Sequence, residues 1–194
     1  MLRFKMCLLG DGNVGKTSLK RRFFEKPFNS TYLPTMGADL ETKTISIETK
    51  ELGKTEFKLQ IWDLAGQPMY KQVRGDYYKG SAGAFLIFDL TNKKSLENVD
   101  NWLYELHRYA DQDKLAIIML GNKNDLFYSP PVSIDNSEIK EEVFSKIKEF
   151  EKSFANIKRP IKYIETSALT GENVQRAFEE ICMMVFKTQY ESIV

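Results

Sequence analysis

The chain has 194 residues, of which 42% are hydrophobic and 28% charged, and its 28 lysines and arginines against 27 aspartates and glutamates give a net charge of +1. That composition suits one globular domain, long enough to bury about 70% of the surface of its unfolded chain without disulfide or metal staples. The near-neutral charge gives no basis for nucleic-acid binding or a polybasic membrane anchor, and no apolar run approaches the roughly 20 residues of a spanning helix.

Met1–Leu9 is too short for a signal peptide, and within it Phe4–Leu9 reads as a buried strand. The strand runs into Gly10-Asp-Gly-Asn-Val-Gly15-Lys16-Thr17, which fits the pattern Gly-x4-Gly-Lys-[Ser/Thr] of a phosphate-binding loop. Glycine lets several backbone N–H groups converge on phosphate oxygens, and the helix that follows aims its positive end at the same place. Gly12, Asn13, Val14, Gly15, Lys16, Thr17 and Ser18 are therefore assigned to the phosphates. Lys16 supplies a point charge to the terminal ones, and the Thr17 hydroxyl is a Mg²⁺ ligand. Helical text over Gly15–Phe24 is closed by Pro27, and a polar loop with Pro34 and Thr35 spans Phe28–Gly37.

Leu40–Ile47 and Glu56–Ile61 are expected to pair as a hairpin turning near Gly53, the second strand burying Phe57, Leu59 and Ile61 on one face. At its end stands Asp63-Leu64-Ala65-Gly66-Gln67. A carboxylate one strand away from a phosphate loop holds Mg²⁺ directly or through water, and Gly66 lets a backbone N–H approach a terminal phosphate. Ala84–Asp89 is apolar throughout, as a central parallel strand requires, and Ser95 is expected to cap a helix carrying Leu96, Val99, Leu103 and Leu106. His107 on that helix reads as a solvent-facing or rim residue.

Leu115–Leu120 is a further buried strand, and Asn122-Lys123-Asn124-Asp125 follows it. Guanine presents two adjacent donors that a carboxylate such as Asp125 accepts in a fork, whereas adenine presents an acceptor and a donor. Sites that demand such a bond discriminate by about 10⁴–10⁵-fold. The segment Phe127–Pro160 opens on Pro130-Pro131 and continues as an amphipathic helix with Ile139, Val143, Ile147, Phe150 and Phe154 on one stripe, which favours packing on its own sheet. After a short strand, Ile161–Ile164, comes Thr166-Ser167-Ala168-Leu169, whose backbone N–H groups are candidates for the guanine oxygen while the Ser167 hydroxyl supports the Asp125 loop. A final helix runs from Asn173 to about Tyr190. Cys7 and Cys182, far apart among apolar residues, read as small buried hydrophobes in a reducing compartment.

Strands alternating with helices predict an α/β fold: a doubly wound, mostly parallel six-stranded sheet with one antiparallel strand and helices on both faces. One domain over residues 1–194 is expected, with an extended helical connection at about 127–160. Every motif falls at the carboxyl end of a strand, where such sheets bind ligands.

Together the motifs resemble the Ras superfamily of small GTPases, most of all the Rab branch. The resemblance rests on Lys58-Leu-Gln-Ile-Trp62-Asp63-Leu-Ala-Gly66-Gln67, on Tyr77-Tyr78-Lys79-Gly80 and on Glu165-Thr-Ser-Ala-Leu-Thr-Gly-Glu-Asn-Val174. It covers about Phe4 to Val185, most of Phe127–Pro160 excepted. It implies a P-loop NTPase of the small G-domain type that binds GTP or GDP with Mg²⁺ and slowly hydrolyses GTP, in Rab-like regulation of membrane traffic or signalling. Phe28 would lie edge-on to the guanine and Tyr32 would cover the phosphates. Thr35 would join Thr17 and Asp63 around Mg²⁺ when a γ-phosphate is present, Gly66 would sense that phosphate, and Gln67 would orient the attacking water. The nucleotide would contact Asn122, Lys123, Asp125, Ser167, Ala168 and Leu169. The resemblance also implies a cytoplasmic monomer with effector, exchange and activating partners.

The chain departs from the family pattern in several places. Asn13 stands where a small residue is usual, and asparagine tolerates the left-handed backbone needed there. Pro68 replaces the Rab glutamate and biases Gln67 towards an extended backbone, which predicts an altered hydrolysis rate. Met36-Gly37-Ala38-Asp39-Leu40 differs from the Rab pattern, which leaves the effector open, and Phe127–Pro160 is longer than the family's connection. Glu191–Val194 carries no Cys-a-a-X box, so no lipidation signal is expected, while peripheral membrane association stays open. Pro27–Asp39 contains no arginine to act in cis, so an arginine from a partner is expected, and Arg74 reads as a surface residue or a structural contact. The Trp62–Tyr78 pair is either part of an effector surface or a partly buried structural pair. The rival to a switch is a hydrolysis-deficient scaffold that holds GTP for structure, with Pro68 as its signature; an ATP-dependent enzyme is disfavoured by Asp125.

Overall fold

The first strand, β1 (Leu2–Leu9), sets the layers: its period of two sends Phe4, Met6 and Leu8 into one core and Cys7 and Leu9 into another. The structure, a computed structural model, describes residues 1–29, 31, 33–49, 53–111, 113, 115–127, 136–153 and 160–190. Among these, α1 (Lys16–Phe23) follows β1, and β2 (Ala38–Thr49) pairs antiparallel with β3 (Gly53–Leu64). A 3-10 turn at Pro68–Tyr70 leads into α2 (Lys71–Tyr78) and β4 (Gly83–Asp89). Then come α3 (Lys93–Glu97), α4 (Val99–Tyr109), β5 (Ala116–Asn122), α5 (Asn124–Phe127), α6 (Asn136–Ser153), β6 (Lys162–Thr166) and α7 (Val174–Tyr190). The sheet has the order β2-β3-β1-β4-β5-β6, parallel everywhere except at β2, so the doubly wound fold read from the sequence is the one observed.

One face is covered by α1 and α7. Phe23 stacks on Phe178 with ring centroids 3.8 Å apart, and Phe85 meets Phe178 edge-on at 5.0 Å. The other face is covered by α3, α4 and α6, which supply Leu96, Val99, Trp102, Leu103, Leu106, Ile139, Val143, Ile147 and Phe150. The amphipathic helix α6 therefore packs on its own sheet as its stripe predicts; Phe154, Pro130 and Pro131 lie outside the described residues. Both cysteines are free and buried, one in each core.

Three local expectations are corrected. Ser95 caps nothing: it sits inside α3, where its hydroxyl accepts from the Asp89 N–H at 2.9 Å and donates to the Asn92 carbonyl at 2.7 Å. The helical stripe then breaks at Asn98, so the predicted single helix is two. Helix α2 has no hydrophobic period to betray it, because its buried face is Arg74, Gly75 and Tyr78. Within the proposed aromatic pair Tyr78 is fully buried, and Trp62, half-buried, packs instead on Tyr77 with centroids 5.3 Å apart.

Candidate nucleotide-binding site

The loops at the carboxyl ends of β1, β3, β5 and β6 surround a cavity of about 330 Å³. Its wall includes Gly12, Asn13 and Gly15 from the loop after β1, Lys16, Thr17 and Ser18 from the start of α1, Phe28 and Thr35 from the segment between α1 and β2, and Gly66 and Gln67 after β3. Asn122, Lys123 and Asp125 close the far end with Ala168 and Leu169. Three assigned side chains stand behind the wall: Val14 in the core, Asp63 beneath Thr17, and Ser167 behind Asp125. Tyr32 lies outside the described residues. Asn29, Thr31, Leu33 and Leu126 also line the cavity, with no motif to announce them.

The phosphate loop is held open by its neighbours. Gly15, with φ 98°, starts α1 so close to β5 that a Cβ there would lie 2.2 Å from Asn122 Nδ2. That same nitrogen donates to the Val14 carbonyl at 2.8 Å, so the end of β5 braces the loop. Asn13 takes the left-handed backbone expected of it, φ 65°. Lys16 is buried, its Nζ donating to the carbonyls of Gly10 at 2.7 Å and Asp11 at 2.6 Å. Burial pulls its pKa down to about 8, against the opposing pull of Asp63 and Asp11. The first turn of α1 carries no acidic residue, so the positive end of the helix meets the cavity uncompensated by side chains of its own.

Hard oxygens meet at one point of this wall. The Thr17 hydroxyl donates to Asp63 Oδ2 at 2.5 Å and lies 2.9 Å from the Thr35 hydroxyl. Asp63 is fully buried, which raises its pKa, and its second oxygen, Oδ1, has no hydrogen-bond partner among the described residues. A buried carboxylate oxygen is costly to leave unsatisfied, so the geometry fits a cation. One carboxylate and two hydroxyls are too few for a self-sufficient cage and suit Mg²⁺, which takes its remaining ligands from phosphate and water. Beside them Gly66 packs directly on the phosphate loop: a Cβ there would lie 2.5 Å from the Gly12 nitrogen.

At the far end, Ser167 donates its hydroxyl proton to Asp125. Asn122 Oδ1 accepts from the Thr166 hydroxyl at 3.3 Å and from the Ala168 N–H at 3.2 Å, so Asn122 ties three loops together. Lys123, at φ 66°, is fixed by an ion pair of 2.7 Å to Asp89 at the end of β4.

The Ras family model matches residues 5–187. The chain belongs to the Ras family. It is 38% identical over 185 residues to the Ras-related protein rab-11.1 of Caenorhabditis elegans, covering 95% of this chain and 78% of that one. To the human Ras-related protein Rab-8B it is 38% identical over 175 residues, 90% of this chain and 74% of the relative. To the GTP-binding protein ypt3 of Schizosaccharomyces pombe it is 34% identical over 184 residues, 95% and 76% of the two chains. The resemblance to a small GTPase of the Rab branch is thus borne out, and so is the enzyme class.

Around its cavity this Ras-family GTPase carries polar braces that motif reading misses. Asp11 accepts from Asn98 Nδ2 at 2.7 Å and Trp102 Nε1 at 2.8 Å, which ties the phosphate loop to α4. Lys20 is buried under β2 and pairs with Asp39 and, at 3.1 Å, with Glu41. Arg74 is a buried structural contact and not a surface residue, paired with Glu105 at 2.9 Å. His107 sits half-buried on the rim of α4. A lysine inside an apolar helix stripe was the available signal for Lys20; Asp11 and Arg74 gave none.

Proposed function

We propose that this GTPase is a GTP/GDP switch of the Rab kind that binds its nucleotide with Mg²⁺ and slowly hydrolyses GTP to GDP and phosphate. The carrying observation is the meeting of Thr35 with Thr17 and Asp63: a loop residue 18 positions along the chain is drawn onto the phosphate loop's own hydroxyl. An oxygen cluster that closes only when that loop folds in makes loop order depend on what the cluster holds.

In this reading Thr17, Thr35 and Asp63 hold Mg²⁺, which when bound neutralises charge on the phosphate oxygens. Lys16 and the N–H groups of Gly12 to Ser18 position the phosphates, Phe28 flanks the base, and Asp125 accepts from guanine. Gln67 orients the attacking water while Gly66 follows the γ-phosphate. Effector, exchange and activating proteins read and reset the state, and the protein works as a cytoplasmic monomer in membrane traffic or signalling. No helix among the described residues is long and apolar enough to cross a membrane.

The test is to identify the nucleotide that co-purifies with the protein and follow its hydrolysis with and without Mg²⁺. Mg²⁺-dependent conversion of GTP to GDP is expected, with ATP failing to compete. Undetectable turnover even with activating partners would favour the nucleotide-holding scaffold, and equal binding of ATP would overturn the assignment of the base.

A further inference from the structure

Arg74 spends its donors in two directions. Toward α4, Nε and Nη2 meet the two Glu105 carboxylate oxygens at 3.2 and 2.9 Å, and the guanidinium lies over the Trp102 ring, 4.2 Å from its centroid. Toward the cavity, Nη1 donates to the carbonyls of Ala65 and Gln67, each at 3.2 Å. Packing α2 on α4 needs only the first set. The second set grips the backbone on both sides of Gly66, in the segment where Gln67 is extended (φ −72°, ψ 142°) ahead of Pro68. The Trp102 ring under the guanidinium donates its N–H to Asp11, and Asn98 of the same helical region donates to the other Asp11 oxygen. A continuous path therefore runs from the Gln67 carbonyl through Arg74 and Trp102 to the phosphate loop.

We propose that Arg74 is a positioning residue for GTP hydrolysis, holding the Gln67 loop at a fixed distance from the phosphate loop by way of α4. The proposal rests on the reading that Gln67 orients the water. Arg74 is buried and is not part of the cavity lining. It sets where the Gln67 backbone starts, and small misplacements of such a group are costly in rate.

The informative variant is Arg74→Lys, which keeps a cation opposite Glu105 but cannot serve a carboxylate and two carbonyls at once. Single-turnover hydrolysis of preloaded GTP is expected to slow by roughly ten- to a hundredfold. GDP affinity, measured separately, is expected to stay unchanged, because only transition-state positioning is lost. On a Gln67→Ala background the same substitution is expected to add no further slowing, since Arg74 acts through Gln67. Trp102→Phe, which keeps a ring under Arg74 and removes the N–H to Asp11, is expected to slow hydrolysis in the same direction, and it carries the test if the lysine variant fails to fold. Unchanged rates, losses of rate and GDP affinity in equal measure, or undiminished slowing on the Gln67→Ala background would each overturn the proposal. If Gln67→Ala alone leaves the rate intact, the underlying role of Gln67 fails, a result separate from any effect of Arg74→Lys.

Discussion

Ser167 and Asp125 are joined by a 2.5 Å hydrogen bond in which the hydroxyl donates to the carboxylate, linking the loops after β6 and β5. A hydrogen bond to a charged group contributes about 1.5–3 kcal/mol. Ser167→Ala is therefore expected to weaken GTP and GDP equally, by roughly ten- to a hundredfold, while leaving the preference over ATP intact. Asp125→Ala is expected to erase that preference. Displacement of a fluorescent GDP analogue by GTP, GDP and ATP distinguishes the two.

Gly66 offers a sharper steric test. An alanine there would put its methyl 2.5 Å from backbone atoms of Asp11 and Gly12, neither of which can yield as a side-chain tip does. The loop must back away from the phosphate loop, so Gly66→Ala is expected to keep GDP binding, lose any preference for GTP, and slow single-turnover hydrolysis by about a hundredfold. A GTP-to-GDP affinity ratio unchanged from the parent protein would contradict this.

Pro68 fixes the backbone that Arg74 grips. Proline biases Gln67 to the extended region and occupies the first position of the 3-10 turn. Pro68→Glu frees Gln67 and is expected to slow single-turnover hydrolysis by roughly tenfold through lost preorganisation. Equal rates in the two proteins would remove the claim.

The wall of the cavity was more legible than the braces behind it. Gly15, Lys16, Asp63 and Asp125 belong to short patterns of restricted residue type, and at the strand ends Gly15, Lys16 and Asp125 line the cavity while Asp63 lies behind Thr17. Continuous apolar runs and period-two alternation pointed to six strands, and helical spacing to the stripe of α6, because apolar burial writes itself into the sequence. Helix α2 stayed hidden because its buried positions are an arginine, a glycine and a tyrosine, and nothing in the helical spacing marks the break at Asn98, whose side chain is held by a partner 87 residues away, Asp11. Interactions of that kind follow from the completed fold, not from local text.

Lys20 is one such brace. Its ammonium is buried while its partners Asp39 and Glu41 are partly exposed. Removing both carboxylates strands a buried charge, so Asp39→Ala with Glu41→Ala is expected to cost about 3 kcal/mol in urea unfolding. Lys20→Met replaces charge with volume and is expected to change stability by no more than about 1 kcal/mol. Similar losses in the two variants would mean that the ion pairs themselves stabilise the domain.

The buried thiols set a pH dependence. Burial pushes Cys7 up from 9.0 to about 11 and Cys182 from 9.0 to about 12. Above pH 9.0 the unfolded chain ionises first while the folded state keeps its protons, so the stability held by the neutral thiols is complete below 9.0 and is lost as pH rises towards 11 and 12. Urea midpoints are expected to fall over that window, and less steeply in Cys7→Ala. At pH 8 neither thiol is expected to react with a disulfide reagent before the protein unfolds.

Helix α6 has a consequence for anyone reshaping this chain. Ile139, Val143, Ile147 and Phe150 share one core with α4, and Lys146 holds Asp100 at 2.8 Å while Lys93 reaches Glu138 and Glu142 at 3.6 and 3.5 Å. The segment from 136 to 153 is thus a wall of the domain and not a detachable arm. Excising it would turn the underside of α4 and the β5–β6 face into wet, sticky surface, so a shortened version can be cut only on either side of this helix.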